Sequence, residues 1–335
     1  LANLFGMNDW YCISRKALFA KALFGTFLCL NLLSNRTSAQ LREFGANVYS
    51  TTYVGDLAHL NNFVYSTRGG IGAHFRRHLT KGLSLRADVN FATLAGSDNS
   101  PELRDLANQA YNDPSGAKYN RLVGEYFRVD SFSQTVTAVK EGVNLRNLSF
   151  RTRLTEFSVV LEYKFGEFMI NSSVRRANFY VFGGFNVYHF EPEGRSAVDS
   201  IGWIKLKDLT TEGQGLSNFY TTREYRSTQL GIPLGFGVRW TLDKYTRLSA
   251  EAGYRILFTD YLDDVSGQYA NPAVIGSVHG SQASEFVDRT RQLHPWLKPN
   301  ALGSARGNSN GRNDAFLFVG LSLSRVIYPY NCPTP

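Results

Sequence analysis

A pair of carboxylates, an acidic cluster and a pair of histidines are the places in this sequence where residue type and spacing could do chemistry. Glu156 and Glu162 share one face of an alternating stretch, and paired carboxylates are what acid–base cleavage of a glycosidic bond requires. Six residues along a strand span about 20 Å. Glycosidase pairs work at roughly 5–9.5 Å, so that chemistry is excluded. Asp260, Asp263 and Asp264 form the acidic cluster. A calcium site takes about 6–8 oxygens in a defined loop, and Tyr261-Leu262 interrupts the run. The cluster therefore reads as a solvated strand exit with a side-chain-capped turn. His74 and His78 fall on one strand face but about 13 Å apart, too far to share a metal. No GxSxG, HExxH or phosphate loop occurs in a suitable context, and no nucleophile–base pair can be placed. The expectation is a non-enzymatic protein without cofactor or metal.

The remaining charges are ordered by alternation. In 247–258, Leu248, Ala250, Ala252, Tyr254, Ile256 and Phe258 point one way. Arg247, Ser249, Glu251, Gly253 and Arg255 point the other, as on a strand with one apolar and one charged face. Similar strands are predicted near 43–56, 68–79, 83–93, 148–165, 177–190, 228–241 and 314–328. The fifth, FYVFGGFNVYHF, is aromatic on both faces, so its facing stays open. Pro233 lacks a ladder donor, so a local bulge is expected there. Connections after the second, fourth and sixth strands are short. The long ones fall at 56–66, 96–147, 191–227 and 260–312, with a short helix expected in PELRDLANQAY (101–111).

Alternating short and long links joining eight strands predict an all-β protein: an eight-stranded antiparallel up-and-down transmembrane β-barrel, with short periplasmic turns and long extracellular loops. Both termini then lie in the periplasm. The charged faces become a lumen network of Arg86, Asp88, Glu156, Glu162, Lys164, Arg239, Glu251 and Arg255. A barrel of this size is just wide enough for its own side chains, which favours a plug of paired charges over a channel. Tyr163, Trp240, Tyr254, Phe258 and Tyr328 are candidate girdle aromatics.

The N-terminal stretch agrees with export. Arg15-Lys16 precede ALFAKALFGTFLCLNLL, and Ser38-Ala39 precede Gln40, the three parts of a secretory signal peptide in order. Residues 1–39 are therefore assigned as signal peptide, with Met7 the plausible start and 1–6 upstream read-through, and 40–335 as the barrel domain. Removing four basic residues (Arg15, Lys16, Lys21, Arg36) and one acid (Asp9) lowers the net charge from +8 to +5. That mild excess is no nucleic-acid footprint. Cys12 and Cys29 leave with the leader, so Cys332 remains without a disulfide partner.

Five stretches together carry a family resemblance: YVGDL (53–57), RNLSF (146–150), LTTEGQG (209–215), IPLGFGV (232–238) and FTDYLDDVS (258–266). They resemble the Bacteroidota outer-membrane β-barrel family that includes the PorG subunit of the type IX secretion system. The likeness covers about 42–328, and its marker residues are Gly55, Asp56, Asp260, Tyr261, Asp263 and Asp264. It implies an integral outer-membrane protein without enzymatic activity. In the PorG branch it implies association with a periplasmic ring built from PorK and PorN, in addition to outer-membrane lipid and without nucleic acid. Candidate docking residues at the periplasmic end are Lys81, Arg175, Arg176, Lys244, Tyr328 and Cys332. The alternatives are an adhesin or ligand-binding barrel acting through its loops, for example residues 218–223, and a narrow passive pore.

Overall fold

The computed structural model describes residues 41–58, 66–99, 127–130, 135–138, 145–169, 176–198, 200–216, 224–293, 299–307 and 312–328. Eight long strands carry the architecture: β1 (Arg42–Val54), β2 (Arg68–His78), β3 (Leu83–Ser97), β4 (Ser149–Met169), β5 (Arg176–Arg195), β6 (Thr228–Thr241), β7 (Thr246–Leu257) and β8 (Ala315–Ile327). Each pairs antiparallel with its chain neighbours, and β1 pairs with β8 from Arg42↔Ile327 to Val54↔Ala315. The sheet is thus a closed eight-stranded antiparallel barrel with no free edge along these strands.

Alternation decides which side chains meet which medium. Outside stand Phe44, Val48, Ile71, Phe91, Leu161, Phe185, Phe236 and Val319, all exposed. Inside stand Glu43, Arg76, Arg86, Asp88, Glu156, Glu162, Arg239 and Arg255, all buried. This inverts the soluble pattern of apolar inside and polar outside. The open facing of the fifth strand is resolved: Tyr180, Phe182, Tyr188 and Phe190 turn inward, and Phe179, Val181 and Phe185 outward.

Two of the short links are tight turns held by a single side chain. Thr80 Oγ1 accepts from the N–H groups of Gly82 and Leu83. Asp243 Oδ1 accepts from Tyr245 and Thr246 at 2.6 and 2.8 Å. The third short link, between β4 and β5, lies outside the described residues.

Several expectations need correction. β4 and β5 run to Met169 and Arg195, past the predicted limits, and carry the sheet beyond the other strands. Trp203–Lys205 adds a short strand on β5 there. Pro233 makes no bulge: the β5–β6 register is the same on either side of it, and the ladder simply omits the two pairs between Gly183↔Leu234 and Asn186↔Gly231. A missing donor costs rungs here without displacing the strand. The irregularity in register lies instead between Phe165 and Glu167. The described residues of 260–312 include α1 (Pro272–His279), α2 (Ser281–Val287) and α3 (Thr290–Leu293). Pro272 starts α1, and Asn271 accepts from the Ala273 N–H as its N-cap. No helix among the described residues is long and apolar enough to cross a membrane. The expected helix at 101–111 lies outside them.

Candidate functional site

Two structures fill the barrel: an ion-pair plug and, at the long-loop end, a folded cap. The plug is organised around Glu162 on β4. Its carboxylate accepts from Arg76 Nε (2.8 Å) and Nη2 (3.1 Å), from Arg239 Nη2 (2.8 Å), and pairs with Arg86 Nη1 (2.8 Å). Arg86 also reaches Glu251 (2.5 Å) and Asp88 (3.1 Å), and the Tyr180 hydroxyl donates to Glu251 (2.5 Å). Arg255 bonds both oxygens of Glu156 at 3.1–3.2 Å. Toward the short turns, Glu43 takes Arg76 (2.7 Å), His78 (2.6 Å) and Arg247. Among the described residues this network joins five guanidiniums (Arg76, Arg86, Arg239, Arg247, Arg255) to five carboxylates (Glu43, Asp88, Glu156, Glu162, Glu251). Balance of this kind is what makes burial of charge tolerable.

Aromatic rings separate the charged layers. Arg86 lies over Phe182, Arg239 over Tyr180 and Arg255 over Phe318, each 4.2–4.9 Å from the ring centre. These rings need room, and glycine on the next strand supplies it: a Cβ at Gly237 would sit 2.6 Å from Tyr180. The space left among Asn47, Asn90, Glu156, Glu251, Arg255 and Ser322 is about 30 Å³, too small for a solute larger than water.

Arg86, Asp88, Glu156, Glu162, Arg239, Glu251 and Arg255, all expected in the lumen network, take part in these ion pairs. Lys164 is half-buried near the short-turn end of β4. Glu43, Arg76 and Tyr180 were missed. β1 and β2 alternate weakly and carry glycines at inward positions, so their facing was not assigned; the signal was Glu43 and Arg76 falling on the faces opposite Phe44 and Phe75. His74 and His78 do face inward, and each takes its own partner, Asn47 (2.7 Å) and Glu43 (2.6 Å). Among the described residues no group of three or more His, Cys, Asp or Glu is placed to hold a metal.

The cap corrects the reading of the acidic cluster. Asp263 and Asp264 are fully buried, not solvated. Tyr53 Oη lies 2.7 Å from Asp263 Oδ2 and 2.5 Å from Asp314 Oδ1. One phenolic hydrogen cannot serve two carboxylates, so one of the two acids keeps its own proton and donates it to the phenol oxygen. Burial, and then the mutual repulsion of the pair, hold Asp263 well above the usual carboxylate range, and burial pushes Asp314 up to about 8. Asp264 accepts from Thr211 (2.5 Å) and Tyr225 (2.7 Å) and is pushed up to about 6, burial outweighing the pull of Arg306. Asp260, half-buried, is also pushed up to about 6 by burial. Tyr261 stacks on Tyr225, with ring centres 4.8 Å apart. Gly55 is required by close approach: a Cβ there would lie 2.0 Å from Tyr53 Oη.

Two arginines tie the loops together. Arg146 bonds Asp98, the Asp56 carbonyl and the Arg306 carbonyl, at 2.5–3.0 Å. Arg306 reaches Glu212 (3.1 Å) and the carbonyls of Asp264 (2.7 Å) and Phe286 (3.1 Å). Glu212 in turn accepts from the N–H groups of Ser266 and Gly267. Asn147, Thr210 and Asp264, all in the cap, hold positive φ angles of 54°, 47° and 65°, a conformation that costs of order 1–3 kcal/mol each unless the surroundings enforce it. Beneath these polar ties Leu57, Leu148, Phe190, Leu209, Leu262, Val265, Ile275 and Phe286 form one apolar core that continues into the barrel mouth. Four of the five stretches that carry the family resemblance thus meet in this cap.

No protein-family model matches the sequence, and the search of curated proteins found no match. Among solved structures, the chain is similar to Ail, the attachment invasion locus protein of Yersinia pestis, at 6% identity, covering 87% of this chain and 100% of that one with a TM-score of 0.33. It is similar to the outer membrane protein OprG from Pseudomonas aeruginosa at 6% identity, 88% and 98% coverage and a TM-score of 0.32. Neisserial surface protein A matches at 8% identity, 86% and 97% coverage and a TM-score of 0.32. Likenesses at these identities and scores carry no argument about what the chain does.

The described docking candidates, Lys81, Arg176, Lys244 and Tyr328, lie at the opposite end. Lys81 is in the turn after β2. Lys244 sits over the rings of Tyr245 and Tyr328, and the Tyr328 hydroxyl donates to the Lys244 carbonyl at 2.8 Å. Arg176 begins β5. Arg175, Cys332 and the loop segment 218–223 lie outside the described residues.

Proposed function

We propose that this chain is an outer-membrane barrel that acts through its surfaces, as a non-enzymatic anchor of a secretion or envelope assembly. The observation that carries the reading is the filled lumen. An apolar outer wall suits lipid, while the balanced plug and the folded cap leave no passage among the described residues. The motif resemblance points the anchor toward a type IX-like machine, with its short-turn end, at Lys81, Lys244 and Tyr328, meeting a PorK/PorN-like periplasmic ring. A second reading, binding through the loops, is favoured by one feature: the cap is a folded surface, and it presents Val278 and Leu302 to solvent.

Affinity purification of the full chain from crosslinked membranes tests the first reading. Periplasmic ring lipoproteins should co-purify, and deletion should impair secretion. Intact secretion together with an empty purification refutes it. Planar-bilayer recordings should show no steady conductance; stable ohmic steps would overturn the view of the lumen as a plug.

A further inference from the structure

The outer wall is not smooth. A groove of about 900 Å³ runs along it, walled by Val48, Ile71, Phe91 and Val319. Its floor is low because Ser50 and Gly69, paired across β1 and β2, bring almost no side chain. A Cβ at Gly69 would meet nothing within 4 Å. At one end the apolar lining gives way to Thr93, Thr155 and Arg153. Arg153 pairs across β3 with Thr93 and across β5 with Glu191. That glutamate is engaged by Lys205 at 2.9 Å. The next arginine along β4, Arg151, is paired with Glu193 and stacked 4.0 Å over Trp203. Arg153 acts on Glu191 only after Lys205 and His189, and it stands as an exposed cation at the lip of an apolar furrow, with two hydroxyls beside it.

We propose that this furrow is a binding site for an anionic phospholipid, its acyl chain along Val48, Ile71, Phe91 and Val319 and its phosphate, with no cation of its own headgroup to neutralise it, on Arg153. A cation alone would attract any anion, and a furrow alone any hydrocarbon. A guanidinium at the end of a furrow selects a molecule that has both parts, and its forked donors match phosphate oxygens. The site rests on the membrane reading of the barrel, but it is a stronger statement: bulk lipid would contact the whole wall equally.

Native mass spectrometry of the full chain in detergent tests it, with dioleoyl phosphatidylglycerol, dioleoyl phosphatidylcholine and inorganic phosphate as probes. Phosphatidylglycerol should be retained about fivefold more than phosphatidylcholine, the weight of one basic residue against an anionic lipid, and inorganic phosphate should not displace it. Arg153→Gln should abolish the preference while leaving phosphatidylcholine retention unchanged. Gly69→Leu, which fills the floor, should lower retention of both lipids. Arg42→Gln, an exposed cation at the far end of the barrel, should change neither. Equal retention of the two lipids by the unaltered chain, or an Arg42→Gln effect as large as that of Arg153→Gln, would overturn the site. Heat-modifiable migration of each variant confirms the barrel, and flotation with vesicles separately tests the membrane reading. A chain that floats without lipid preference loses only this site.

Discussion

Replacing Glu162 by Gln is the sharpest probe of the plug. The substitution keeps shape and removes one charge, so three guanidiniums lose a common counter-charge at 2.8 Å. They are not affected equally. Arg76 keeps Glu43, and Arg86 keeps Glu251 and Asp88. Arg239 keeps Ser249 (3.3 Å) and the Tyr180 ring, with no second carboxylate in hydrogen-bond reach among the described residues. The cost is therefore that of one stranded buried arginine, about 3–5 kcal/mol. Removing the stranded charge as well, in Glu162→Gln/Arg239→Met, should recover about 2–3 kcal/mol of it, a coupling typical of groups in one network. The assay is reversible denaturant unfolding in vesicles, followed by tryptophan emission and by gel migration. A cost below about 1 kcal/mol for the single variant, or strict additivity in the double, would refute the assignment of Glu162 as the shared counter-ion.

The cap should respond to pH in the direction opposite to an ordinary salt-bridged acid. The folded cap holds Asp314 at about 8, above its unfolded value near 3.8, so the folded state binds the extra proton between these limits. Cap stability is then fully present below about pH 4 and is lost as pH rises through 8. Limited proteolysis at pH 5 and pH 8.5 should show faster cleavage at the higher pH, and Asp314→Asn should flatten the profile; an unchanged profile in that variant sinks the idea. Arg306→Leu should open the cap to protease and speed hydrogen exchange at 262–267 while leaving heat-modifiable migration of the barrel intact. Unfolding of the barrel in step with the cap would show that the two are one cooperative unit.

The barrel was legible because a strand with two media has a period of two, and β3, β6 and β7 keep it cleanly. Their predicted ends agree with the structure to within a few residues, except where β3 runs on to Ser97. The charged residues of those strands were placed correctly for the same reason. Glu43 and Arg76 escaped because glycines such as Gly45 and Gly72 dilute the pattern on β1 and β2. The cap was not legible as a cap. Its contacts join the end of β1 to residues from three loops, Tyr53 to Asp263, Arg146 to Arg306 and Thr211 to Asp264, and no local period records such pairings. An acidic run reads as solvated when its neighbours are unknown, yet here a tyrosine from β1 and another at Tyr225 dry it out.

The ten charges of the plug are divided unevenly along the chain. Strands β1–β4 carry Arg76 and Arg86 against Glu43, Asp88, Glu156 and Glu162. Strands β5–β8 carry Arg239, Arg247 and Arg255 against Glu251 alone. Each half of the sheet, curled by itself, would expose an excess of two like charges, negative in the first half and positive in the second. Glu43 meets Arg247 across 204 residues and Ser324 across 281. Neutralisation and closure are thus one event: the half-sheets attract each other over a distance and gain their pairs when the last strand meets the first. A chain interrupted after β4 lacks that partner and keeps its negative excess unpaired.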